Sequence, residues 1–289
     1  MAEELFNKLV EKRGKNYMKN KVIGWNINQR SGMGNNIPQF VIDELIAKDA
    51  DIVVLTELFK TDTINYFWDE MERAGYAYAI TQNDGTNEVE ILWKKDSYSM
   101  ALVDNSVITK KDNNNPNMLL VDLVDKKGKI LTVVGFRIRM VDYSERAAEL
   151  EIVINKANQK ENPVLMVTDC NNLRRETVET SWNLNVVDCI LAENGFQRHT
   201  PCGQSIYTEK SDRGYAYEFA EDHIITRNLV VDLGDYDRSF VNRDKNAYPW
   251  GKDFQIYDIR TGNKISIKPG IPDHAIVQGY IDFKEKHHE

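Results

Sequence analysis

The segment Pro163-Val-Leu-Met-Val-Thr-Asp-Cys-Asn171 carries the pattern that decides the fold of this chain. Residues 164–168 are apolar or β-branched and predict a buried strand. Asp169 and Asn171 follow at once, although a carboxylate beside an apolar run is costly unless it is paired or bound to a metal. The segment Asp51-Ile-Val-Val-Leu-Thr-Glu57 repeats this pattern and ends in a glutamate.

Three further apolar segments adjoin polar residues, namely Trp25-Asn26-Ile-Asn28, Glu221-Asp222-His223 and Pro272-Asp273-His274. Each has an ordinary explanation by itself, because Asp and Asn also cap turns and a core histidine can simply be hydrogen-bonded. Several such positions in one chain predict instead that the acidic side chains converge on one site. Hard oxygen ligands of this kind suit Mg²⁺ or Mn²⁺ better than Zn²⁺.

Short apolar strands recur along most of the chain, and we find no internal repeat or linker. Helices are predicted over 38–47, 64–74, 144–158 and 186–193, with Ser144 as an N-cap. Many short strands with so few helices favour two packed β-sheets flanked by helices, in the α+β class. We predict a helical extension over 1–20, a single domain over 21–285 and a tail over 286–289.

The overall charge limits the range of functions. The net charge of -8 over 289 residues counts against a large surface that wraps a nucleic-acid duplex. The three cysteines show no paired spacing, which is typical of a reduced intracellular protein. The N-terminus is polar and lysine-rich, unlike a secretory signal, and the apolar runs are too short to span a bilayer. We therefore expect a soluble, cytoplasmic protein.

The order of these motifs resembles the endonuclease/exonuclease/phosphatase superfamily, which has the deoxyribonuclease-I-like fold. The matching segments are Trp25-Asn-Ile-Asn28, Leu55-Thr-Glu57, Glu90–Asp96, Thr168-Asp-Cys-Asn171, Ala220–Ile225 and Pro272-Asp-His274. They run in the family's order from about Val22 to Phe283. The resemblance implies a four-layer α/β/β/α sandwich of two packed mixed β-sheets, and a phosphoesterase that depends on Mg²⁺ or Mn²⁺.

The resemblance also implies roles for the residues that would hold the metal and the attacking water. Glu57 would be the main metal ligand, with Asn26 close by and Asp273 in support. Asp169 would orient the water and help to deprotonate it. A divalent cation in this place could neutralise charge on the phosphate and assist the leaving oxygen.

Three other residues are assigned to the phosphate by the same resemblance. Asn171 would bind a phosphate oxygen, and Asp222 and His274 would form a hydrogen-bonded pair that faces the phosphate. A carboxylate beside His274 would fix its tautomer and favour its charged form.

The segment Val133-Val-Gly-Phe-Arg137-Ile-Arg139 departs from the family pattern, because many relatives place a histidine where we align Arg137. Arginine keeps its proton and cannot act as a general acid, but it can clamp a phosphate bidentately. We predict that Arg137, together with Arg139 on the same face by period two, stabilises the charge of the phosphate. The alternative is that these arginines bind a neighbouring carboxylate on the outer face of the sheet.

Basic and aromatic residues near these motifs suit a nucleic-acid backbone and a stacked base. We assign Asn28, Arg139, Arg174 and Tyr215 to substrate binding. The alternative is a solvated charged turn for Arg174 and an ordinary strand aromatic for Tyr215. Three functions remain open: a nuclease acting on DNA or RNA, a phosphatase or phosphodiesterase for small molecules or lipid head groups, and a catalytically weak nucleic-acid-binding relative. We expect no membrane association and no obligate protein partner.

Overall fold

The computed structural model describes residues 20–27, 37, 39–60, 64–82, 87–104, 116–176, 181–206, 219–242, 254–257, 264–267 and 272–284. The predicted N-terminal helix and the C-terminal tail lie outside these residues, and the domain limits stay a prediction.

The described chain alternates between short strands and four α-helices. The helices are α1 (Gln39–Lys48), α2 (Ile64–Arg73), α3 (Tyr143–Asn158) and α4 (Leu184–Glu193). The strands are β1 (Asn20–Asn26), β2 (Ile52–Leu58), β3 (Tyr76–Ile80), β4 (Glu88–Lys94), β5 (Tyr98–Val103), β6 (Asn117–Asp125), β7 (Ile130–Arg137), β8 (Val164–Asp169), β9 (Gln197–His199), β10 (Asp222–Arg227), β11 (Leu229–Leu233), β12 (Phe254–Tyr257), β13 (Lys264–Ile267) and β14 (Val277–Phe283).

Two six-stranded sheets share one pattern of strand directions. Their orders are β11-β14-β1-β2-β4-β3 and β5-β6-β7-β8-β10-β9, and β12 pairs only with β13. The two central strands of each sheet, β1 with β2 and β7 with β8, run parallel. A parallel pair needs a crossover, which α1 and α3 supply. All other pairs in both sheets are antiparallel, so both sheets are mixed.

Three layers of apolar side chains separate the four layers of secondary structure. The central core lies between the sheets and joins residues such as Val54 and Ile91 of one sheet to Val133 and Leu165 of the other. The first sheet packs its other face on α1 and α2, and the second packs on α3 and α4. This arrangement confirms the predicted α/β/β/α sandwich with two packed mixed sheets.

The predicted helices agree with the observed ones to within two residues at each end. The proposed cap of α3 is wrong, because the N-cap position is Asp142 rather than Ser144. The quoted segment 51–57 contains most of β2, which begins at Ile52 and runs through Glu57 to Leu58. No helix in the described part of the chain is both long enough and apolar enough to cross a bilayer.

Candidate active site

The direction of the strands brings the predicted site residues to one edge of the sandwich. Asn26, Arg137 and Asp169 are the last residues of β1, β7 and β8, and Glu57 lies one residue before the end of β2. The carboxyl ends of parallel strands meet at the same edge of a sheet. The antiparallel strand β10 begins at this edge, where Asp222 pairs in register with Asp169.

Asp169 is fully buried and accepts hydrogen bonds from three neighbouring residues. Asn26 donates to its Oδ2 from Nδ2 at 2.9 Å, and Arg137 donates to the same oxygen from Nε at 3.2 Å. The backbone N–H of Asn171 donates to Oδ1 at 2.9 Å. These donors stabilise the charged carboxylate and fix its orientation.

The side chain of Asn171 forms hydrogen bonds within the protein. Its Nδ2 donates to the carbonyl of Ile138 at 2.6 Å and lies 3.3 Å from Asp169 Oδ2. The backbone of Asn171 is left-handed, with φ 47°, a conformation that Asn adopts more readily than most residues. The observed contacts therefore position Asp169, and the predicted contact of Asn171 with a phosphate stays a prediction.

Glu57 reaches the site through an irregularity in β2. The register of β2 against β4 shifts between Leu55 and Leu58, and the backbone of Glu57 is left-handed with φ 56°. A bulge of this kind redirects a side chain that regular alternation would place elsewhere. Glu57 Oε1 lies 2.6 Å from Arg137 Nη2, so Arg137 bridges Glu57 and Asp169. Arg137 therefore contacts neighbouring carboxylates, as the alternative predicted, but they lie at the ends of β2 and β8 rather than on the outer face of the sheet. The contact of Arg137 with a phosphate stays a prediction.

His274 and Asp222 form the predicted pair. His274 Nδ1 lies 2.8 Å from Asp222 Oδ2, and Trp25 Nε1 donates to the His274 carbonyl at 3.1 Å. Burial opposes a charge on His274, but the Asp222 carboxylate outweighs it and raises the pKa of His274 well above its usual value. Burial also raises the pKa of Asp222, so the pair holds a proton between its two members over a wide pH range.

Glu221 is a site residue that the sequence prediction did not assign. Its Oε2 lies 3.7 Å from His274 Nε2, on the other side of the ring from Asp222. Burial, followed by the charges of Asp169 and Asp222, raises the pKa of Glu221 well above its usual value. The quoted segment Glu221-Asp222-His223 included this residue, but the burial of all three at the start of β10 is visible only in the structure.

Arg146 of α3 is the second residue that was missed. Its Nη1 donates to the Asn171 carbonyl at 2.7 Å and its Nε donates to the Val141 carbonyl at 2.6 Å, which braces the loop after β8. Nothing in the helical pattern around Arg146 distinguishes it from a solvated residue. His223, next to Asp222, is a core histidine that contacts Asn172 and Thr200.

Two of the residues assigned to substrate binding are engaged elsewhere. Arg139 contacts Glu149 of α3 through its side-chain Nε and donates to it through its backbone N–H. Because β7 ends at Arg137, the period-two argument that placed Arg139 on the same face does not apply. Arg174 donates to the carbonyls of Pro201 and Gly203. Their substrate contacts stay predictions, as do those of Asn28 and Tyr215, which lie outside the described residues.

The donor chemistry at this edge fits a hard divalent cation. Glu57 supplies a carboxylate, and Asn26 donates to Asp169 through Nδ2, so its amide oxygen points away from that carboxylate. Asp273 is half-buried and adds negative charge beside His274, and its place near a metal stays a prediction. Within the described residues, no group of three or more acidic, His or Cys side chains is arranged to hold a metal. A cation at Glu57 would have to compete with Arg137 for that carboxylate.

No protein-family model and no curated protein matches the chain by sequence, but several solved structures share its architecture. An endonuclease/exonuclease/phosphatase family protein from Bacteroides thetaiotaomicron is 15% identical with a TM-score of 0.61, over 94% of this chain and 98% of that one. A mannosyl-6-phosphatase from the same organism is 15% identical with a TM-score of 0.59, over 91% and 99%. TDP2 from D. rerio, in complex with a single-strand DNA product, is 14% identical with a TM-score of 0.56, over 92% and 99%. The chain therefore shares the fold of these structures, the deoxyribonuclease-I-like sandwich.

Proposed function

We propose that this protein hydrolyses phosphoester bonds with the help of Mg²⁺ or Mn²⁺, and that its substrate is a nucleic-acid phosphodiester. The observation that carries the proposal is the register of β8 and β10, which sets Asp169 directly opposite Asp222 and its partner His274. A hydrolase of this kind needs a base for water and a donor for the phosphate, and the two are held side by side.

The residues of the chain divide the chemistry between them. Glu57 and Asn26 would hold the cation with support from Asp273, and the cation, when bound, supplies charge neutralisation at the phosphate oxygens. Asp169 accepts the proton of the attacking water, and Asn26 keeps its carboxylate in place. His274 donates from Nε2 to a phosphoryl oxygen.

Asp222 and Arg137 support this arrangement. Asp222 fixes the orientation of the His274 ring through Nδ1. Arg137 supplies a permanent positive charge beside Asp169, because burial opposes its charge but Asp169, Glu57 and Glu221 together raise the pKa of Arg137.

A second candidate substrate is a small phosphorylated molecule. The net charge of -8 disfavours a long polyanion. Arg139 and Arg174, the two described arginines that we assigned to a nucleic-acid backbone, are engaged by Glu149 and by backbone carbonyls. A mannosyl-6-phosphatase and a DNA-bound TDP2 share the fold, so the fold is compatible with both substrate classes.

The test is cleavage of a panel of substrates in Mg²⁺, in Mn²⁺ and with chelator. The panel contains single-stranded DNA, duplex DNA, RNA, a chromogenic phosphodiester and sugar phosphates. Wild type is compared with Asp169→Asn and with Asp188→Asn. Asp188 on α4 is a matched control, because its carboxylate is half-exposed and pairs with Arg198.

We expect metal-dependent cleavage of a nucleic acid that Asp169→Asn abolishes and Asp188→Asn keeps. Cleavage of sugar phosphates alone would select the second candidate. Absence of cleavage, with nucleic-acid binding retained, would select the catalytically weak binding protein.

A further inference from the structure

Arg137 lies between two carboxylates of the candidate site, those of Glu57 and Asp169. Its Nη2 lies 2.6 Å from Glu57 Oε1 and its Nε donates to Asp169 Oδ2 at 3.2 Å. The exposed fraction of the side chain is 9% for Arg137, 10% for Glu57 and 0% for Asp169. The guanidinium therefore offsets part of the negative charge of these two carboxylates from within the protein.

We propose that Arg137 is a built-in cation that competes with the divalent metal for Glu57 and that is released to the phosphate when metal and substrate bind together. The proposal rests on the function proposed above and adds an order of events to it. Metal alone binds weakly, and metal with a phosphate binds tightly.

The competition follows from the geometry of the ion pairs. A cation that binds Glu57 Oε1 must displace Arg137 Nη2 and then lies beside a guanidinium that cannot lose its proton. Two like charges at such a distance in a buried site repel each other strongly. Binding of Mn²⁺ or Mg²⁺ is therefore disfavoured as long as Arg137 has no other anion to pair with in place of Glu57.

A phosphate removes this repulsion. The guanidinium carries five N–H donors in a fixed fork, of which Nε is directed to Asp169 and Nη2 to Glu57. Arg137 can turn its Nη groups to a phosphoryl oxygen while Nε stays with Asp169, and Glu57 then serves the metal alone. Because coupling between two ligands is reciprocal, metal must also tighten phosphate binding.

The test is the affinity of the intact protein for Mn²⁺, measured by the electron paramagnetic resonance signal of the free ion, with and without saturating inorganic phosphate. Wild type is compared with Arg137→Met. We expect Arg137→Met to bind Mn²⁺ alone at least about tenfold more tightly, because a like charge has been removed. With phosphate present the two proteins should bind Mn²⁺ equally well, because Arg137 of the wild type then pairs with the phosphate.

The control is Arg198→Met, at a position that has no assigned role in the candidate site. It also removes a mostly buried guanidinium from a carboxylate, that of Asp188, but away from Glu57. We expect its Mn²⁺ affinity to equal that of wild type, which separates competition from a general loss of packing. Arg137→Gln, which keeps a donor for Asp169, provides the same comparison if Arg137→Met does not fold.

The possible results separate the two proposals. Equal or weaker Mn²⁺ binding by Arg137→Met and Arg137→Gln overturns the competition and leaves a metal-dependent phosphoesterase intact. If Arg137→Met still binds Mn²⁺ more tightly than wild type by the same factor in saturating phosphate, the release of Arg137 to the phosphate is overturned. Absence of Mn²⁺ binding in every variant, with or without phosphate, overturns both the competition and the metal dependence of the proposed function.

Discussion

At the residue scale, the proposed function depends on the pair of Asp222 and His274, which would hold a proton donor towards the phosphate. Asp222 Oδ2 contacts His274 Nδ1 at 2.8 Å, so the proposal gives the reaction to Nε2. His274 is only 7% exposed, so its orientation depends on Asp222 and on the backbone contact from Trp25. A change at Asp222 should act on the reaction more than on binding.

Asp222→Asn is expected to lower kcat about 10²- to 10⁴-fold, the range in which a positioned acid or base contributes, with a much smaller change in KM. The neutral amide no longer stabilises the charged imidazolium. Steady-state kinetics on the best substrate of the panel measure both constants. His223→Gln is the control. His223 follows Asp222 in sequence and is buried and hydrogen-bonded in the core, so its loss should lower Tm but leave kcat unchanged. Equal losses of kcat in both variants would contradict the role of Asp222.

Glu90 is a buried carboxyl group away from the predicted catalytic residues. It is fully buried on β4 and accepts a hydrogen bond from Trp68 Nε1 at 2.7 Å. Burial raises the pKa of Glu90 to about 8, although the Trp68 hydrogen bond and the charge of Lys60 lower it. The folded protein therefore retains a proton that the unfolded chain, with an ordinary pKa of about 4.3, has released.

Stability that comes from this proton is fully present below the unfolded pKa and is lost as the pH rises toward about 8. Glu90→Gln keeps the size of the side chain and does not titrate. We expect the free energy of unfolding of wild type to fall relative to Glu90→Gln by roughly 4 kcal/mol between about pH 4.5 and pH 8. Urea unfolding across this range measures the difference, and a difference that is independent of pH would show that Glu90 is charged when folded.

At the element scale, the strand ends that carry Asn26 and Asp169 could be predicted from local sequence. An apolar run that stops at a polar residue is visible without tertiary information. The position of Glu57 could not, because the bulge in β2 arises from pairing with β4, which is remote in sequence. The fold class followed from the alternation of short strands with few helices and from the order of the motifs.

The partners of the arginines are the part of the site that local sequence could not supply. Arg137 and Arg139 are two residues apart in one apolar segment, yet one bridges Glu57 and Asp169 and the other contacts Glu149. The difference arises because β7 ends at Arg137, so alternation stops there. Glu221 was missed for a related reason, since its burial depends on β8 and on the segment before β14.

The close approach of the two sheets depends on a glycine in β7. A Cβ atom added at Gly135 would lie 2.7 Å from Val54 Cγ1 and 2.8 Å from Val89 Cγ1, both in the opposite sheet. Gly135→Ala is expected to lower the free energy of unfolding by about 1–3 kcal/mol, because these buried valines cannot move aside without strain.

A double-mutant cycle with Val89→Ala tests the cause of this loss. Val89→Ala removes one of the two methyl groups that the new Cβ would meet. We expect the double variant to lose less stability than the two single variants together, measured by urea unfolding. Additive losses would show that Gly135 matters for another reason than contact between the sheets.

At the scale of the whole molecule, the shared strand pattern explains why one edge of the sandwich gathers the chemistry. Each sheet has a central parallel pair, and the four strands β1, β2, β7 and β8 bring their carboxyl ends to the same edge. The two pairs are joined there by Asn26, which donates to Asp169 across the two sheets. Folding of both sheets is therefore required before the candidate site exists, and among the described residues this site offers few cations to a polyanion.

This shortage of cations predicts how salt affects the binding of single-stranded DNA. The net charge is -8, and Arg139 and Arg174 are engaged within the protein. Binding should then neutralise only one or two phosphates, and raising the salt from about 50 to 200 mM should weaken it by about 3- to 7-fold. The dissociation constant of Asp169→Asn, which is expected to bind DNA without cleaving it, can be measured by fluorescence anisotropy in a salt series. A loss of about 10³-fold or more over this range would instead require about seven or more phosphate contacts, and would contradict the inferred shortage of cations.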